Sequence, residues 1–177
     1  MSETQHIKAR WWMESAGVLL WSLGLVDSLP PYDPAASLDL LKRFPTNPVS
    51  AFLAGAELRS SAVIERERGI AELWHWRSRT RQLEERGEVF PVLESAGQLV
   101  RSFDDIVRMT ARKAFDRGTV AQILDDDFVA FSMPYRSLSP EEWSAVTSIV
   151  MERHFALNWL CGYAPGNRWD DTPTDTL

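Results

Sequence analysis

The chain has 177 residues, 45% of them hydrophobic, with a formal net charge of -6 and a pI near 5.1. That length buries about two thirds of the unfolded surface in one core, and the acidic balance argues against a nucleic-acid or anionic-membrane surface, which needs clustered cations. A single cysteine forbids an internal disulfide and suits a reducing, cytoplasmic setting.

The first apolar run, AGVLLWSLGLV (16–26), follows Lys8 and Arg10 in the manner of a signal peptide. It is too short for a bilayer, which needs about 20 residues. Glu14 interrupts its approach, and no small-x-small cleavage site precedes SLPPYDP. The run therefore reads as part of a buried helix from about Ile7 to Val26. Asp33-Pro34 and Asn47-Pro48 each predict the start of a short connecting helix, with a capping side chain followed by proline in the first turn. The longest helix is predicted from about Ser61 to Arg86, ending at Gly87. Val63, Ile64, Ile70, Ala71, Trp74 and Ser78 share one face, and arginines and glutamates fill the other. Within it HWRSRTRQ, from His75, is surrounded by glutamates and reads as a charge-mixed, solvated face.

GEVFPVLESAGQLVR (87–101) reads as loop plus a short helix. Ser102 and Asp105 then open a helix through Phe103, Ile106, Val107, Thr110, Ala114 and Phe115, with an Asp104–Arg108 ion pair and Gly118 past its end. DDDFVAFSMPYRSL (125–138) holds at most one extended piece, and neither irregular stretch predicts a sheet. Ser139-Pro140-Glu141-Glu142 is the strongest start signal, a capping box with proline at the first helical position, for a helix running to about Cys161 and ended by Gly162. Without repeats or a dividing linker, the expectation is one all-α domain over residues 1–177, a bundle of about five to seven helices with a polar tail from about residue 164.

The last helix carries ERHFALNWLCGY (152–163), which gathers the only cysteine with a histidine and an asparagine. His154 and Cys161 are two turns apart, about 10.5 Å along the axis, too far for a nucleophilic dyad that must meet within about 3 Å. His154 and Asn158, at i and i+4, can touch: they satisfy each other in the core or orient an imidazole for a ligand. The candidate polar cluster is Glu152, Arg153, His154 and Asn158, with His75 from the long helix and Asp170 and Asp171 from the tail. No metal and no cofactor is expected. The helical pair of histidines that zinc requires is missing, the adjacent aspartates read as caps and turns, and no phosphate loop or dinucleotide fingerprint occurs.

There are eight tryptophans. Trp11 and Trp12 are adjacent and cannot both face inward on one helix, so at least one meets a partner or solvent. Trp169, alone in a polar tail, is placed to dock that tail. Trp11, Trp12 and Trp169 are the candidate interaction residues.

In order along the chain, VLLWSLGLVDSLPP, AFLAGAELRS, ELWHWRSR, ERHFALNWLCGY and RWDDTPTDT resemble the bacterial family called domain of unknown function 4272, the last two segments most strongly. Residues 87–135 carry little of the likeness. The resemblance implies no activity, cofactor or catalytic residue. Members of that family often carry further helical sequence before the segment matching Trp11, which would leave Trp11 or Trp12 uncovered here. The expected function is a non-catalytic interaction protein, an adaptor or a neutralising, immunity-like protein. Its partner would be a basic protein or a second copy of the chain, with no nucleic acid and no membrane involved. The alternative is an enzyme or small-ligand binder whose pocket gathers the polar cluster around His154 and the returning tail.

Overall fold

The computed structural model describes residues 3–44, 48–95 and 97–176, with side chains from Trp11 onward in the first helix. Five α-helices dominate: α1 (Glu3–Ser22), α2 (Val49–Gly55), α3 (Ser61–Glu85), α4 (Phe103–Asp116) and α5 (Pro140–Leu160). β1 (Leu93–Ser95) and β2 (Gln98–Val100) form an antiparallel hairpin. β3 (Ile123–Leu124), β4 (Asp127–Ala130) and β5 (Met133–Pro134) form a three-stranded antiparallel meander. The expected all-α class is therefore corrected: the protein is a helical fold with two small antiparallel sheets.

Turn chemistry explains the difference. Asp125 and Asp126, between the paired Leu124 and Asp127, have φ of 50° and 60°; Phe131 and Ser132, between Ala130 and Met133, have 51° and 60°. Positive φ at both positions of a two-residue turn matches the twist of the flanking strands. Asn-Gly is the usual carrier, so Asp-Asp and Phe-Ser conceal the hairpins. A second correction concerns Asp33, which begins no helix: its carboxylate accepts the Phe131 backbone N–H at 3.0 Å and pins the second turn. The helical turn in that region is a 3-10 segment, Leu38–Arg43, capped by Ser37. α2 starts after Pro48, while Asn47 lies outside the described residues.

α5 opens with the full capping box, Ser139 Oγ accepting from Glu142 N and Glu142 Oε2 accepting from Ser139 N. It packs along α3 and α1. Against α3 and the meander, Val146 and Val150 join Trp74, Phe128 and Tyr135 in one apolar cluster; against α1, Ala156 and Leu157 join Val18, Trp21 and Ile64 in another. Each of the larger aliphatic side chains among them contributes about 1.5–3 kcal/mol by leaving water.

The irregular segments are held by buried arginines, which corrects the reading of HWRSRTRQ as a solvated face. Arg77, 1% exposed, reaches Asp127 of β4 through two hydrogen bonds of 2.7 and 2.8 Å and lies over the Tyr135 ring. Arg81 donates to the carbonyls of Tyr135 and Leu138 and covers Trp143. Arg153 donates to Glu14 Oε2 at 2.9 Å and to the carbonyls of Pro30 and Pro31, above the Tyr32 ring. An arginine fork satisfies several acceptors at once, which suits it to tying loop carbonyls to a helix. Among the described residues no helix is long and apolar enough to cross a membrane.

Candidate functional site

α3 and α5 bring two histidines together. His75 Nδ1 lies 3.0 Å from His154 Nδ1, with the rings edge to face. One turn on, Asn158 Nδ2 is 3.0 Å from His154 Nε2 and donates to the Pro173 carbonyl at 2.8 Å, linking the helix to the returning tail. The tautomers follow by elimination. Pro173 offers an oxygen and requires an N–H, so the amide cannot be turned over; its second N–H then meets a lone pair on His154 Nε2. His154 therefore carries its proton on Nδ1 and donates it to His75 Nδ1. Neutral His75 must hold its own proton on Nε2.

Burial pushes the His154 pKa down to about 4, with the His75 and Arg68 charges adding to the effect. His75 is lowered by burial and by Arg79, against an opposing pull from Asp175. Both rings are thus neutral near pH 7, as the shared hydrogen bond requires. Burial, followed by Glu65, raises the Cys161 thiol to about 12, which leaves it protonated and a poor nucleophile.

The candidate cluster divides. His75, His154 and Asn158 meet. Glu152 accepts from Ser15 Oγ of α1 at 2.8 Å, and its neighbour Arg153 pairs with Glu14. Asp170 and Asp171 stand exposed in a 3-10 turn, Trp169–Asp171. His154, 1% exposed, is sealed, whereas His75, 8% exposed, lines a cavity of about 360 Å³ between α3, α5 and the tail. Arg79 and Gln82 of α3, Trp143 and Thr147 of α5 and Asp175 of the tail share that wall. Sequence reasoning missed Arg79, Trp143 and Asp175, which no local motif marks. Among the described residues no group of three or more His, Cys, Asp or Glu is placed to hold a metal.

Asp127 is the other polar centre that sequence reasoning missed. Burial alone would raise its carboxyl, but the Arg77 hydrogen bonds and charge, with the N–H groups of Phe128 and Arg136, hold it below the usual range. Both oxygens are committed to the fold.

The tryptophans separate as well. Trp169 packs edge-on against Phe155 and Trp159, at ring separations of 4.8 and 5.3 Å, and Trp159 Nε1 donates to the Asn167 carbonyl, so the tail is docked on α5. Trp11 is partly buried and Trp12 is 68% exposed. Ala16, Leu19 and Leu23, all partly accessible, continue the line from Trp12 at helical spacing, while Met13, Val18, Leu20 and Trp21 face inward. α1 thus turns an apolar stripe outward. The 3-10 segment packed beside it exposes Leu38 and Leu41.

Helices tied by buried arginines to one short meander and to loop carbonyls define the architecture, and comparison with known families agrees with the resemblance read from sequence. The chain belongs to the family described as Domain of unknown function (DUF4272), whose model matches residues 1–95. The match covers the first three segments of the likeness, whereas ERHFALNWLCGY and RWDDTPTDT lie beyond it. No curated protein matches the chain, and no solved structure does.

Proposed function

We propose that this chain is an interaction protein, an adaptor or neutralising module, whose α1 stripe receives a protein partner of basic character. In this reading residues 1–177 act as one unit in the cytoplasm. The observation that carries it is Trp12, 68% exposed at the head of an outward apolar line through Ala16, Leu19 and Leu23. A monomer gains nothing by holding a tryptophan in water, whereas large aromatic side chains commonly anchor interfaces. The net charge of -6 favours a basic counterpart and faster encounter with it. His154 supports a structural role for the last helix, since both its ring nitrogens are bonded inside the fold.

A photo-crosslinking residue at position 12, compared with one at the 90% exposed Val89, tests the reading in cells. A discrete adduct from position 12 alone, lost on Leu19→Glu and weakened by salt, is expected. Absence of an adduct, with a monomer on sizing, would sink it; an adduct of twice the chain mass would make the partner a second copy.

A further inference from the structure

α3 and α4 leave a groove between them. Two hollows, of about 510 and 360 Å³, share Gly69, Leu73 and Thr110 and so join into one channel, with Arg66 and Arg117 at one end and Trp76 and Ile106 at the other. The stretch of α3 from Arg66 to Trp76 is about 15 Å long, roughly three helical turns. The floor is apolar and half-buried, running from Ile70 and Leu73 to Trp76 and Ile106. Gly69 lies in the middle of it. Inside a helix, glycine costs about 1 kcal/mol against alanine, yet a Cβ at this position would meet nothing within 4 Å. No contact within the fold needs the bare backbone, whereas a second helix packing closely against α3 would use it.

The charge of the lining is positive. Arg66, Lys113 and Arg117 line the channel and enter no ion pair among the described residues. The two carboxylates on its wall, Glu65 and Glu72, both pair with Arg68, at 2.8 and 3.1 Å. Four cations thus stand against two acids, on a chain that is acidic as a whole. Within a Debye length of about 8 Å this local excess governs what docks.

We infer that the α3–α4 groove is a docking surface for an amphipathic helix of a partner protein, one that carries acidic residues at one end. Its apolar side chains, at i, i+3 or i+4 and i+7, lie on Ile70, Leu73, Trp76 and Ile106 while its backbone crosses Gly69. Its carboxylates meet Arg66, Lys113 and Arg117. The channel is open to solvent, which suits a helix laid into it better than a small molecule, whose pockets enclose most of the ligand. α4 packs on α3 and the α1 stripe belongs to a helix packed on α5, so this surface does not depend on docking at α1.

A displayed library of helical peptides, selected on the full chain and counter-selected on Gly69→Leu, is the probe. Gly69→Leu keeps or raises the Tm, since leucine is the better helix former and meets open space. The peptides recovered carry Asp and Glu at one end of an apolar stripe, shift the Trp76 indole NMR signal saturably, and bind Gly69→Leu about tenfold or more weakly, the effect of overfilling a packed contact. Lys113→Glu with Arg117→Glu, both at exposed positions, weakens such a peptide about tenfold, and exchanging its acids for lysines restores binding to that variant. Absence of a groove-dependent binder, binders without acidic enrichment, or no rescue by the charge exchange overturns the inference. Dodecanoate shifting the Trp76 signal where no peptide does overturns it too, and would make the groove a site for a lipid chain.

Discussion

His75 and His154 face each other through their Nδ1 atoms at 3.0 Å, an arrangement that accommodates one proton between the rings and not two. Acid must therefore break it. Both histidines titrate below their ordinary value, His154 at about 4, so between roughly pH 6.5 and 4 the unfolded chain binds protons that the folded chain refuses. Stability is complete above the unfolded value and falls as pH drops through that window, by about 1.4 kcal/mol per pH unit for each histidine fully affected. Urea denaturation at pH 7, 6 and 5 checks this; a midpoint that does not move would contradict it.

Asn158 latches the tail. Asn158→Ala removes the donor to Pro173 and leaves that carbonyl and His154 Nε2 unpartnered, at a cost of about 1–3 kcal/mol. Limited proteolysis should then cut after Tyr163 at protease concentrations the wild type survives, and the His154 ring should lose its single-tautomer nitrogen signature. An unchanged cleavage pattern would mean that the Trp169 cluster alone holds the tail.

Breaking the Arg77–Asp127 pair strands a buried charge. Asp127→Leu is expected to destabilise by about 3–5 kcal/mol, and the apolar double replacement, Arg77→Met with Asp127→Leu, by less than those two single changes summed. Chemical denaturation of the four proteins measures the coupling. Simple additivity would show that the pair contributes no specific interaction.

Trp12 and Trp21 lie on the same helix and should respond oppositely. Trp21→Ala empties a buried site and costs about 3–5 kcal/mol. Trp12→Ala, at an exposed site, changes stability by no more than about 0.5 kcal/mol while abolishing the adduct formed by a photo-crosslinking residue placed instead at Ala16. A large fall in Tm for Trp12→Ala would place that ring in the fold instead.

The helices were legible where their signals are local. Ser102 and Ser139 cap α4 and α5 as their spacing from Asp105 and Glu142 predicts, because a cap needs only neighbours three residues away. The meander was not, since its turns use Asp-Asp and Phe-Ser, and one of them is held from a distance by Asp33. Arg77 and Arg81 read as solvated because burial of a guanidinium depends on acceptors 50 or more residues away, which periodicity does not report. The histidine pair is equally non-local, its members 79 positions apart. Trp12 was half legible: adjacency to Trp11 required one ring to turn out, without saying which.

Glu14 and Arg153, almost wholly buried, are joined across 139 positions of chain. During synthesis the carboxylate leaves the ribosome well before its guanidinium exists, so α1 has no finished berth until α5 has emerged. A nascent chain halted before α5 holds that carboxylate without its guanidinium, with the Ala36 backbone N–H as its remaining partner.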